Sequence, residues 1–241
     1  MSIVSAEIMK IALNSFVTMK ISYANMLGNI CERIPGANVD DITRALGADK
    51  RISPHYLKAG LTFGGPCFPR DNRAFQAFAK SLGLRAIMAE ATDKVHFFQT
   101  ENLTARILEV LKSQNHDSIS ILGLSYKPKT GVIDESPAIE LIQKILEYDN
   151  NIKISVYDHL AMSNVKKLFA DKVHHAKSAK DCLDQSICWV IASPEKEFSQ
   201  LCHGYKKSGI TIIDCWRILD QNLLNKKVRY LSPGGNLYEN R

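Results

Sequence analysis

Apolar residues between positions 3 and 33 fall on every side of a helix: Ile8, Met9, Ile11, Leu13, Phe16, Val17, Met19, Ile21, Tyr23, Met26, Leu27 and Ile30, with no proline and no glycine before Gly28. A helix that is apolar all round is expected to be buried all round. At 1.5 Å per residue it runs roughly 45 Å, which one small domain does not easily surround. A partner subunit is therefore expected to cover part of it. Pro35-Gly36 stops it. Asn38 or Asp40 then caps a short helix through Leu46, with Gly47 past its end. Residues 60–69 hold three glycines and two prolines and predict a tight loop. Helices follow over 71–82, carrying Phe75 and Phe78, and over 90–112, with Val95, Phe98, Leu103, Ile107, Leu108 and Leu111 at helical spacing.

The pattern changes near 115–118. Short apolar runs at 119–124, 152–157, 187–192, 210–214 and 228–231 alternate with helices, one of them the amphipathic 137–148. β-branched runs of this length, separated by helices, predict a parallel sheet covered on both faces. The expected class is α/β: an all-helical unit over 1–114, then a doubly wound, Rossmann-like unit over 115–241. No internal repeat or low-complexity tract is visible.

The 45% hydrophobic and 23% charged content is that of a soluble globular chain. A net charge of +6 suits an acidic ligand such as a nucleotide diphosphate. No Lys/Arg block or aromatic-basic interleaving favours nucleic acid. The six cysteines form no CxxC pair, and no His/Cys spacing suggests zinc. Cys31, Cys188 and Cys215 sit in apolar runs, as small hydrophobes do. The N-terminus lacks a signal-peptide pattern, and the uncharged stretch at 21–31 is too short to span a bilayer. A reduced, cytoplasmic protein is expected.

Lys10 and Asn14 are four apart on the first helix and share a face. Either Lys10 snorkels outward and Asn14 bonds nearby backbone, or an ammonium and an amide together hold a substrate oxygen or a water. Cys67 lies in Phe63-Gly64-Gly65-Pro66-Cys67-Phe68-Pro69-Arg70-Asp71. The glycines allow close backbone approach to a ligand, and the positive end of the next helix favours negative charge beside it. Arg70 would add to that charge, and Asp71 could orient a water or a lysine. A structural loop with an incidental cysteine is the alternative. Tyr126-Lys127-Pro128-Lys129-Thr130-Gly131 follows the first strand, where such sheets bind phosphates, or is simply an exposed basic loop. GxGxxG is absent there.

These segments resemble the UDP-glucose/GDP-mannose dehydrogenase family. The stretch 6–14 is similar to the start of its central helix. Gly64-Gly65-Pro66-Cys67-Phe68-Pro69-Arg70-Asp71 is similar to its cysteine loop, usually Gly-Gly-Ser-Cys-Phe-Pro-Lys-Asp. Residues 124–137 resemble the opening of its nucleotide-binding C-terminal domain. The resemblance spans the chain in family order. It implies oxidation of a UDP- or GDP-hexose at C6 to the carboxylate, with two NAD+ and a thioester on Cys67. Lys10 and Asn14 would stabilise negative charge on the C6 oxygen, and Asp71 would assist proton transfer and hydrolysis. Tyr56, Leu57, Lys58, Phe63 and Gly64 would bind substrate, with Tyr126 and Lys127 from the second unit. Arg51 would reach into the partner's site of a homodimer built on the long helix.

Three departures qualify the resemblance. The family's N-terminal NAD-binding domain has no counterpart in these residues, so NAD binding falls to a separate domain. Asp134 stands where the family's Asp-x-Arg-x-Ser-Pro has arginine, and a carboxylate there would repel a pyrophosphate. Asp214-Cys215-Trp216-Arg217 places arginine one position later than the family's Asp-x-Arg, leaving Arg217 as the candidate substrate ligand. A truncated, non-catalytic nucleotide-sugar-binding dimer is the alternative function. A β-hydroxyacid dehydrogenase relative would also carry a Lys…Asn pair on a long helix, but its C-terminal part is helical and needs no cysteine.

Overall fold

The computed structural model describes residues 1–205 and 208–235. Four helices come first: α1 (Ile3–Cys31), α2 (Val39–Ala48), α3 (Phe68–Ser81) and α4 (Ile87–Ser113). Asn38 caps α2 by accepting from the Asp40 N–H at 2.8 Å. Gly47 lies inside α2 rather than past it; a Cβ there would stand 2.8 Å from the Pro54 backbone, so close packing and not a helix stop calls for the glycine. α3 begins three residues earlier than the pattern predicts, with Pro69 in its first turn.

The expectation that α1 is buried on every face is corrected for the single chain. Its buried positions are small or polar: Ser15, Thr18, Ser22, Ala24, Asn25, Gly28 and Cys31. Ile8, Met9, Leu13, Phe16, Tyr23, Met26 and Ile30 are exposed, Phe16 at 58%. The reason is close approach. Small side chains let α1 lie against α3 and α4, and the polar ones find partners: Ser15 donates to Asn72 at 2.7 Å and Ser22 to the Thr92 carbonyl at 3.3 Å.

The second part contains β1 (Ser118–Leu122), α5 (Pro137–Tyr148), β2 (Lys153–Tyr157), α6 (Met162–Phe169), β3 (His174–His175), α7 (Ala179–Asp184), β4 (Cys188–Ile191), α8 (Lys196–His203), β5 (Thr211–Asp214) and β6 (Arg229–Leu231). All pairings are parallel, in the order β3-β2-β1-β4-β5-β6. Side chains alternate between two cores. Cys188, Val190 and Ile213 face α4 and α5, whereas Trp189, Ile191 and Ile212 face α7 and α8. The chain is thus α/β, with a helical unit ahead of a doubly wound sheet. Leu103, Ile107, Val110 and Leu111 of α4 pack into the sheet's core, so one helix serves both units.

Ion pairs and hydrogen bonds also join the two units. The buried Glu32 accepts from the Gly234 N–H at 2.8 Å, Arg217 pairs with Asp40 at 2.7 Å, and Arg73 with Glu135 at 2.8 Å. Strand order reverses between β1 and β4. Gly123, with φ of +89°, turns the chain off β1 where any side chain would strike Ser193 beyond β4. This is the switch point at which open α/β sheets bind ligands. Among the described residues, no helix is long and apolar enough to cross a membrane.

Candidate active site

Cys67 immediately precedes α3 and is the exposed one of the six free cysteines. Its loop lies directly on the loop after β1. The Gly65 N–H donates to the Asp134 carbonyl at 3.1 Å. Gly65 has φ of +88°, and a Cβ there would stand 2.5 Å from the Tyr126 ring. At Gly64 a Cβ would run into the Glu135 carbonyl. The two glycines therefore allow the cysteine loop to touch the second unit.

Asp71, in the first turn of α3, gathers the polar residues of α1. Its carboxylate accepts from Asn14 Nδ2 at 2.6 Å, from Lys10 Nζ at 3.4 Å and from Arg70 Nε at 3.1 Å. Burial pushes the Asp71 carboxyl up, but the hydrogen bonds from Asn14, Arg70 and Lys10 outweigh it and hold the group below the usual carboxylate range. Asn14 thus bonds a carboxylate rather than local backbone, and Arg70 spends its charge on Asp71. The next residue, Asn72, accepts from Ser15 and donates to Asp93 at 2.7 Å, which fixes α3 against α1 and α4.

The opposite wall is the loop after β1. Asp158, at the end of β2, holds that loop by its backbone. The Leu124 and Ser125 N–H groups donate to its carboxylate at 2.7 and 3.0 Å, and the Ser125 hydroxyl at 2.8 Å. Its other oxygen accepts from the N–H groups of Leu160 and Ala161. Burial raises this carboxyl, but the four backbone N–H groups outweigh it and leave the group below its ordinary value. Ser136 starts α5, yet its hydroxyl does not cap the helix: it donates to the Leu124 carbonyl at 2.7 Å and ties the same loop.

Between the walls lies a cleft of about 450 Å³ at the carboxyl ends of β1 and β4. Tyr56, Lys58, Phe63, Gly64, Cys67, Tyr126, Lys127 and Trp216 line it. The Lys127 ammonium stands 5.3 Å from the centre of the Tyr126 ring. Lys10, Asn14 and Asp71 do not line the cleft but cluster one turn of α3 from Cys67, which does; three further sequence candidates lie elsewhere. Leu57 is buried against Ala24, Val39 and Ala59. Arg51 is on the surface, paired with Asp49 at 2.6 Å. Arg217 points away from the cleft, its guanidinium donating to Asp40, to the Ala59 carbonyl and to the Pro233 carbonyl.

Two residues escape the sequence reading. Trp216 occupies the place that Arg217 was expected to fill. Asp158 carries only the weak signal of an acidic residue closing the second strand. No group of three metal-ligating side chains occurs among the described residues.

Comparison with known proteins agrees with this arrangement. The central-domain model of the UDP-glucose/GDP-mannose dehydrogenase family matches residues 4–96, and that family's UDP-binding-domain model matches 120–221. The chain is 32% identical to the UDP-glucose 6-dehydrogenase of Rickettsia typhi, over 98% of this chain and 55% of that protein. It is 36% identical to the Haloferax volcanii UDP-glucose 6-dehydrogenase, over 81% of this chain and 44% of that protein. A UDP-glucose dehydrogenase structure from Pyrobaculum islandicum superposes with a TM-score of 0.81 at 29% identity, covering 96% of this chain and 51% of that one. The chain thus spans about half the length of the relatives it matches. On the matched domains, the cysteine loop and the sheet order together, it belongs to the UDP-glucose/GDP-mannose dehydrogenase family, as the central and UDP-binding domains.

Proposed function

We propose that the cleft binds a UDP- or GDP-hexose and carries the acylation chemistry of a nucleotide-sugar 6-dehydrogenase. The observation that carries this reading is the convergence of Lys10 and Asn14 on Asp71, one helical turn from an exposed Cys67 that lines a cleft together with Lys58 and Lys127. The lysines suit a diphosphate. The Cys67 thiolate attacks the C6 aldehyde carbon, the C–S bond forms, and the carbonyl electrons move to oxygen. Lys10 and Asn14 stabilise that oxyanion. A hydride acceptor held outside these residues would take the C6 hydrogen with its electron pair, and the carbonyl that re-forms would be a thioester on Cys67. Asp71 accepts a proton from the water that attacks it, the C–S bond breaks, and the carboxylate leaves.

The hydride acceptor expected for the family is NAD+. This sheet does not fit it. The N–H groups that would cradle a pyrophosphate after β1 are spent on Asp158, and Gly123 packs on Ser193. Asp134 adds an exposed carboxylate nearby. No step is therefore assigned to NAD+ within these residues, and its binding is assigned to a separate domain. A second reading, a nucleotide-sugar-binding dimer without turnover, is favoured by that misfit for these residues acting alone. Pairing of two copies through the exposed apolar face of α1, with Arg51 reaching the neighbouring site, belongs to both readings. Five buried free cysteines suit the reducing cytoplasm.

Calorimetric titration of this chain with UDP-glucose, UDP-ManNAc, UDP-GlcNAc and GDP-mannose, with NADH absorbance followed in parallel, tests the proposal. Binding of one of these sugars without NADH formation is expected. NADH production by the chain alone would overturn the assignment of NAD+ to a separate domain, and failure of all four sugars to bind would overturn the cleft's role.

A further inference from the structure

Trp216 follows β5 and is half-buried in the cleft. Its Nε1 donates to the Ala192 carbonyl at 2.8 Å. Indole has no other polar atom, so what remains for a ligand is the face and edge of the ring. The ring rests on the backbone of Gly60, where a Cβ would stand 2.8 Å from its Cε3 and Cζ3. Both backbone groups of Gly60 are fixed: its N–H donates to Asn25 Oδ1 at 2.8 Å, and its carbonyl accepts from Gln99 Nε2 at 3.1 Å. The next residue, Arg217, held at φ of +53°, is clamped to α2 through Asp40 and to the Ala59 carbonyl beside Gly60. A left-handed arginine is strained, and it persists because these bonds over-determine it. The ring is thus a rigid plate.

We propose that Trp216 is the plate on which the planar base of the bound nucleotide stacks, an assignment that rests on the nucleotide-sugar reading of the cleft. Leu61, Ala138 and Ala192 continue the apolar surface around it, while Lys58 and Lys127 supply positive charge for a diphosphate. A pyrimidine or purine offers apolar faces that a tryptophan can cover. A hexose presents a narrower C–H face rimmed by hydroxyls that an indole with its N–H already spent does not bond, so the planar base covers more of the plate. The base therefore takes Trp216 and the sugar extends toward Cys67.

The chain has two tryptophans, and Trp189 is fully buried in the sheet's core, so a ligand-dependent change in emission reports Trp216. UDP or GDP is expected to quench that emission, and glucose 1-phosphate is not. Trp216→Phe should abolish the change yet keep most of the affinity. Trp216→Leu should weaken UDP or GDP binding about tenfold by calorimetry, the loss of one stacked base. Should the leucine variant fail to fold, the emission titration of the parent chain decides. Calorimetric binding of UDP or GDP with unchanged emission, or quenching by glucose 1-phosphate alone, would overturn the base-stacking role while leaving the nucleotide-sugar reading intact. Failure of every nucleotide and nucleotide sugar to bind would overturn both.

Discussion

Asp71 shows how one carboxylate organises the candidate site. It brings Lys10 and Asn14 from α1 to the helix that begins at Cys67. Because its folded value is lowered, its contribution to stability is full above the unfolded carboxyl value of about 3.9 and is lost as pH falls through the folded value. Asp71→Asn is therefore expected to cost about 1–3 kcal/mol in urea melts at pH 7, and less near pH 3. An equal cost at both pH values would show that the charge is not what the site uses. Lys10, Asn14, Cys67 and Asp71 were legible in the sequence because helical spacing and the glycine-cysteine loop are local patterns. Trp216 was not. An aromatic residue closing a strand reads as core, and the adjacent arginine drew the expectation that its own contacts with Asp40 and two carbonyls contradict.

At the level of elements, two loops meet, and each is shaped by residues whose need is backbone geometry. Gly65→Ala adds strain at positive φ and a Cβ against Tyr126, so it should cost about 1–3 kcal/mol and weaken sugar-nucleotide binding. Gly36→Ala, also at positive φ but with nothing within 4 Å, isolates the backbone part and should cost less. Equal costs in denaturant melts would mean that the loops do not press together. Asp158→Ala strands four backbone N–H groups and should cost about 2–4 kcal/mol at neutral pH, an effect that fades in acid because the lowered carboxyl loses its charge there. The five longer strands were readable from their β-branched runs. β3, only two residues long, carries no period to read, and α6, α7 and α8 span eight, six and eight residues, too short for a firm helical pattern. The α1 pattern was read correctly as apolar on all sides. Its packed face proved to be the small and polar one, because close helix approach and hydrogen bonding there outweigh the burial of large side chains.

For the whole molecule, that inversion leaves a row of large apolar residues along α1 without cover in one chain. Leu13→Glu combined with Phe16→Glu should convert a dimer to a monomer in light scattering while leaving the melting temperature of the α/β unit unchanged. A parent chain that is already monomeric at micromolar concentration would remove the seam from the account. The cleft, by contrast, is built within one chain by α3, the β1 loop and the turn after β5. A nucleotide sugar bound in it is expected to sit over Cys67. The most direct test is the rate of alkylation of the native chain by iodoacetamide, mapped by mass spectrometry. Cys67 alone should react, because the other five cysteines are buried. The best-binding nucleotide sugar, at about ten times its Kd, should slow that reaction roughly tenfold. Alkylation of Cys67 at an unchanged rate with the sugar bound would contradict the account.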